Sequence, residues 1–153
     1  MIVGVISDTH GLLRPEALDA LRGSDRIIHA GDIGKPEILD RLKQIAPVTA
    51  VRGNIDTGSW ARKIPLNEVL EVGGVSIYVL HIVDQLDLKP DAAGFAAVIY
   101  GHSHVPKQEM KNGVLYFNPG SAGPRRFKLP VTVGKLIVEA SKLRFEIIHL
   151  LEP

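Results

Sequence analysis

The chain has 153 residues, no cysteine and a formal net charge of +1. That length suits one domain whose core buries about two-thirds of the surface the unfolded chain exposes. The missing cysteines exclude disulfides, thiol catalysis and thiolate-held zinc or iron–sulfur centres, and the near-balance of 18 basic and 17 acidic residues leaves no footprint for a long nucleic acid. The opening MIVGVISDTH has no basic segment ahead of a long apolar run, so it does not read as a secretory signal. No stretch approaches the roughly eighteen apolar residues of a membrane span, and a cytoplasmic protein is the default expectation.

Ile2–Ser7 is a short β-branched run that predicts a strand, and Pro15–Leu21 predicts a helix with proline in its first turn. Arg26–Ala30 predicts a second strand. Over Pro36–Ile45, Ile38, Leu39, Leu42 and Ile45 recur at helical spacing, and Val48–Val51 predicts a third strand. The order strand, helix, strand, helix, strand argues for a parallel sheet. Beyond residue 60, Asn67–Val72 and Val75–Leu80 flank Gly73-Gly74, a hairpin signal. A short helix is expected at Leu86–Ala93 and a strand at Ala97–Tyr100. Gln108–Met110 and Val114–Asn118 flank Asn112-Gly113, a second hairpin signal. Pro130–Glu139 and Leu143–His149 predict two closing strands around a turn at Ala140–Lys142. The expected fold class is α/β: two mixed β-sheets packed face to face with helices outside.

The polar residues fall where these strands end. Asp8 and His10 follow the first strand, Gly31-Asp32 the second and Gly53-Asn54 the third. His81 closes Val75–Leu80, and His102 and His104 follow the strand ending at Tyr100. Ligands of open α/β sheets bind outside the carboxyl ends of strands. Five strand ends thus bring two Asp, one Asn and four His to one rim, a donor mixture that suits divalent Mn, Fe, Ni, Zn or Mg better than a nucleophilic triad. Each element alone has an ordinary reading: Asp-x-His as a cap plus a surface His, Gly-Asp and Gly-Asn as turns. Their recurrence on successive strand ends is what chance explains poorly.

The ordered series DTH (8–10), GD (31–32), GN (53–54), an isolated His81 and GHSH (101–104) resembles the calcineurin-like metallophosphoesterase superfamily. The ending NPGSAGPRR (118–126) is similar to the small bacterial and archaeal phosphodiesterases of that superfamily, and to the retromer subunit that shares their fold. The resemblance implies the four-layer α-β-β-α sandwich and two divalent cations, Mn²⁺ first, with Ni²⁺, Zn²⁺, Fe²⁺ or Mg²⁺ as alternatives. It implies that Asp8, His10 and His104 hold one metal while Asn54, His81 and His102 hold the other. Asp32 is expected to bridge them with one carboxylate oxygen to each. A hydroxide shared by the two metals is then the expected attacking group. Asn54 is also expected to donate to a phosphoryl oxygen. Asn118 and Ser121 are expected to orient the ligating imidazoles from outside, and His29 to be structural.

Two departures from the family pattern matter. Many members carry a histidine general acid after Gly-Asn; here that place holds Ile55, as the small-phosphodiesterase branch generally lacks this histidine too. Asp56 is a possible substitute or a loop support. Ile82 stands where glycine is usual after the metal-binding histidine, which puts His81 most in doubt as a ligand. The expected function is hydrolysis of a small phosphodiester without a histidine acid. The alternative is a protein-interaction scaffold on the same fold with vestigial metal binding. Arg125 and Arg126, with Lys128, form a basic cluster that reads either as solvated loop or as a substrate-phosphate site. A homo-oligomer is possible; a long nucleic acid or membrane partner is not expected.

Overall fold

The structure, a computed structural model, describes residues 1–151. The β-branched runs form strands, and they assemble into two mixed sheets of five strands each, flanked by few helices. In the first sheet β1 (Ile2–Ile6), β2 (Arg26–His29) and β3 (Val48–Ala50) run parallel, and β1 also pairs antiparallel with β9 (Thr132–Glu139), which pairs with β10 (Lys142–His149). The helices α1 (Pro15–Leu21) and α2 (Pro36–Lys43) connect the parallel strands, each with proline in its first turn. A short helix not expected from the sequence, α3 (Ser59–Arg62), follows β3.

The second sheet has the order β4-β5-β6-β8-β7. Its two hairpins, β4 (Asn67–Val72) with β5 (Val75–Leu80) and β7 (Lys107–Lys111) with β8 (Val114–Asn118), turn on the expected dipeptides. Asn112 and Gly113 both take positive φ, 51° and 79°, the backbone of a tight hairpin turn. β6 (Phe95–Ile99) lies parallel between β5 and β8.

The period-two alternation of the strands decides how the core is divided. Val3, Val5, Ile28, Ile77, Val79, Ile99, Phe117 and Leu136 face inward, and one apolar cluster fills the space between the sheets. Ile6 and Ile27 face the other way and pack with Ala17, Leu21, Ile38 and Leu42 of the two helices. On the outer face of the second sheet, Tyr78, Leu80 and Val98 are covered by Val83, Leu86 and Leu88.

That cover is not the helix expected at Leu86–Ala93. A 3-10 turn at Val83–Gln85 is followed by irregular chain and a turn ending at Gly94. Pro90 cannot donate to a preceding turn, and the apolar Leu86 and Leu88 alternate as an extended segment does. Among the described residues no helix is long and apolar enough to cross a membrane.

Candidate metal centre

All five strand ends named from the sequence open on one rim. The ligand atoms of Asp8, His10 and His104 lie within 4.8 Å of one another, as do those of Asp32, His81 and His102. Both groups touch each other through Asp32 and Asp8. Asp32 Oδ2 lies 3.5 Å from His10 Nε2 and 3.2 Å from His81 Nε2, and Asp8 Oδ1 lies 3.4 Å from His104 Nε2.

Each carboxylate is divided between two tasks. Asp8 Oδ2 accepts hydrogen bonds from the Ser7 hydroxyl at 2.7 Å and the His102 backbone N–H at 3.1 Å. Its Oδ1, fully buried, has no hydrogen-bond partner among the described residues. Asp32 Oδ1 accepts the Ile55 N–H at 3.1 Å, leaving Oδ2 to face the imidazoles. Asp32 Oδ1 is thus engaged by the backbone, and Oδ2 is the oxygen that stands free beside His10 and His81.

One imidazole is prepared in the same way. His81 Nδ1 lies 2.7 Å from the Ala30 carbonyl, which can only accept, so Nδ1 carries the proton and Nε2 presents a lone pair to the carboxylates. His10 Nε2, His81 Nε2 and His104 Nδ1 are buried without hydrogen-bond partners among the described residues. Buried polar atoms are seldom left unpaired. Lone pairs of two carboxylates and two imidazoles converging at this range demand protons or cations between them, and the O/N donor set fits divalent metal ions.

Burial alone would raise the Asp8 carboxyl, but the imidazoles of His10, His104 and His81, with the Ser7 hydroxyl, hold it well below the usual carboxylate range. Asp32 is likewise lowered, against its burial, by His81 and the Ile55 N–H. Burial pushes His81 down, yet Asp32, Asp8 and the Ala30 carbonyl more than offset this and raise it.

Backbone geometry marks the same residues. Asp8, His10, Asp32, His102 and His104 all have positive φ, between 46° and 74°. Such backbone costs a residue with a Cβ roughly 1–3 kcal/mol. The fold thus holds five of the seven candidate ligands in a conformation their side chains disfavour. The flanking glycines supply room. A Cβ on Gly53 would run into Asp32, and one on Gly101 into Ser7 and Asp8.

Asn54 is exposed and stands beside His81 at the lip of a cleft of about 440 Å³. Ile82 also lines that cleft, with φ −113° and ψ 110°, ordinary extended backbone that needs no glycine. Asn118 and Ser121 support the centre otherwise than expected. Asn118 Nδ2 donates to the Gly101 carbonyl and the Ser103 hydroxyl, each at 3.1 Å, and the Ser121 hydroxyl donates to the Asp8 carbonyl at 3.0 Å. Both hold loop backbone, and among the described residues neither hydrogen-bonds to an imidazole. Arg125 and Arg126 are exposed on the loop after Gly123, beside the Asp8 turn, whereas the cleft is lined by Arg52, which sequence reasoning passed over.

Two further supports, expected from the sequence only as a possible loop support and a structural histidine, acquire their partners here. Asp56, 4 % exposed, accepts backbone N–H bonds from Ile33, Gly34 and Gly53, tying the Asp32 loop to the Asn54 loop. His29, fully buried, accepts the Gly31 N–H at Nδ1, so its Nε2 carries the proton and donates to Thr9 Oγ1 at 3.0 Å. Thr9 in turn donates to the Ile33 carbonyl at 2.8 Å. The expected structural role of His29 is this chain of bonds between the first two loops.

Burial lowers the His29 pKa to about 4 from 6.5. A depressed histidine contributes stability that is present above the unfolded pKa and lost as pH falls from 6.5 toward 4. His29→Gln keeps an acceptor and a donor without titrating. Urea unfolding should therefore show the wild type losing about 3 kcal/mol more than the variant between pH 7 and pH 4. Equal losses would mean that His29 is not held neutral.

The comparisons agree with this geometry. The family profile described as the calcineurin-like phosphoesterase superfamily domain matches residues 1–141. A probable metallophosphoesterase of Methanocaldococcus jannaschii is 39% identical over 165 residues, spanning 99% of this chain and 83% of that protein. Among solved structures, an archaeal phosphodiesterase aligns with a TM-score of 0.79 at 24% identity, covering 97% of this chain and 100% of that one. Vps29 of Entamoeba histolytica, solved with Zn²⁺, aligns with a TM-score of 0.75 at 22% identity, covering 99% of this chain and 100% of that one. With the fold, the ordered strand-end residues and the profile in agreement, the chain belongs to the calcineurin-like phosphoesterase superfamily.

Proposed function

We propose that this protein is a metal-dependent phosphodiesterase acting on a small phosphodiester, with two divalent cations, Mn²⁺ first among them. The observation that carries this reading is the convergence of Asp8 Oδ1, Asp32 Oδ2, His10 Nε2 and His81 Nε2 within 3.2–3.9 Å, three of these atoms buried without partners. Asp8, His10 and His104 would hold one cation, and Asn54, His81 and His102 the other, with Asp32 common to both. Divalent cations bound there supply Lewis acidity, lowering the pKa of water and screening charge on the phosphoryl group.

The chain's own groups then set direction and limits. Asn54, exposed at the cleft, would offer its carboxamide N–H₂ to a phosphoryl oxygen and its carbonyl to a cation. Neither residue after Asn54 supplies an acid to the leaving group. Ile55, 40 % exposed, has no proton to give, and both oxygens of Asp56 are occupied by backbone N–H groups. Esters with good leaving groups are therefore favoured.

Protein stripped with a chelator and resupplied with Mn²⁺ or Ni²⁺ should hydrolyse bis(4-nitrophenyl) phosphate. No metal-dependent rate above background would overturn the proposal and put an interaction scaffold in its place. Ile55→His should raise kcat on diesters with poor leaving groups by about 10- to 100-fold and change activated aryl diesters far less. An equal effect on both would show that position 55 does not face the departing oxygen.

A further inference from the structure

The two sheets end on four edge strands, and three of these are blunted. β3 is only three residues long, and β4 carries Glu68 and Glu71 with no basic residue. β7 engages Glu109 with Lys107 and Lys111 of its own length, at 2.7 and 3.3 Å. Short or charged edges resist pairing with another chain. β10 differs: it runs for eight residues and holds Phe145, 40 % exposed, near its middle.

The backbone of β10 has one side to offer. Leu150 donates to the Val131 carbonyl at 2.9 Å, whereas Val138 bonds through both backbone groups to Met1, away from β10. Bonding alternates along an antiparallel pair, so Arg144, Glu146 and Ile148 bond to β9. The N–H and C=O groups of Leu143, Phe145 and Ile147 therefore point outward, where no strand of the same chain lies. The side chains of these three share the inward face. Leu143 and Ile147 pack against the cluster between the sheets, and the Phe145 ring centroid lies 5.8 Å from that of Phe117. Arg144 and Glu146 stand exposed on the opposite face. Glu146 lies 3.7 Å from Lys135, and Arg144 has no ion-pair partner among the described residues.

These charges select a partner and a register. In a two-fold antiparallel contact the outward residues of one β10 must meet the outward residues of the other. Centred on Arg144 the contact sets arginine against arginine, and centred on Glu146 it sets glutamate against glutamate. Centred on Leu143 it sets Lys142 against Arg144, and centred on Ile147 it sets Glu146 against Ile148. Centred on Phe145, Arg144 of each copy lies opposite Glu146 of the other, and Leu143 lies opposite Ile147. The charged pairs then occupy the positions without direct backbone bonds, where side chains stand closest. The two Phe145 rings meet on the inward face. We infer that β10 docks a second copy of this chain in the register centred on Phe145, joining the two five-stranded sheets into one across the axis. No residue of the candidate metal centre takes part.

Sedimentation of the full chain, followed up to about 1 mM because one strand edge makes an interface at the small end of the range, should show a monomer–dimer equilibrium. Arg144→Glu or Glu146→Arg alone puts two like-charge pairs across the axis and should weaken the dimer by about 10- to 100-fold. Mixed in equal amounts, the two variants should pair with each other about as tightly as the wild type pairs with itself, because each again meets opposite charge. A wild type that stays monomeric throughout overturns the inference and leaves the edge to an extended segment of another protein. A dimer that neither substitution weakens, or variants that fail to pair when mixed, overturns it as well and moves the contact to another surface or register.

Discussion

Asp32→Ala should remove at least about a thousandfold of metal-dependent kcat/KM and lower the number of divalent ions bound. Loss of a partner that merely orients a ligand costs about 10–100-fold in metal affinity. Asp32 Oδ2 faces both His10 and His81, so its removal damages both sites at once. A readout free of turnover follows from the electrostatics. After burial, which lowers it, Asp32 is the largest influence on His81 and raises it. In metal-free protein, Asp32→Ala should therefore shift the His81 imidazole titration downward, as followed by NMR. Near-normal turnover, or an unmoved His81, would refute the shared position of Asp32.

How far the sequence revealed this site depends on what each residue does there. Residues that offer donor atoms were legible, because a donor must stand at a strand end and strand ends can be read from β-branched runs closed by glycine. The glycines had a reason the sequence hides: a Cβ at Gly53 or Gly101 would meet the buried Asp32 or Asp8 carboxylate. Supports were legible at most as roles, as for Asp56 and His29, and their partners were not. Asn118 and Ser121 were found as motif members and given the wrong partners, since a carboxamide that holds the Gly101 carbonyl looks the same in sequence as one that holds an imidazole. The helix expected at Leu86–Ala93 failed where leucines spaced by two cover a sheet face as extended chain. Arg125 and Arg126 were singled out as an adjacent pair, whereas Arg52 became visible only when β3 and β5 placed it on the cleft.

Asp56 decides between two readings of the segment that follows Asn54. As a proton donor in place of the missing histidine, it would need an oxygen facing the leaving group. Instead its carboxylate receives Ile33, Gly34 and Gly53 N–H groups at 2.9 Å, and its own N–H returns to the Gly53 carbonyl at 3.2 Å. Asp56→Ala strands three backbone donors near the centre, and each unsatisfied group costs about 1–3 kcal/mol. Against a total stability of about 5–15 kcal/mol, a loss of about 3–6 kcal/mol is the largest expected of any single change here. Urea unfolding of the metal-free variant measures it; a loss below about 1 kcal/mol would contradict the bonding described. Asp56→Asn separates the two roles. It keeps one acceptor oxygen but turns an N–H₂ toward a backbone N–H, so it should destabilise by an intermediate amount and weaken metal binding as the Asp32 and Asn54 loops loosen. If Asp56 were the acid, the same variant would keep stability and metal affinity while its pH–rate profile lost the alkaline limb. The three converging N–H groups favour the first outcome.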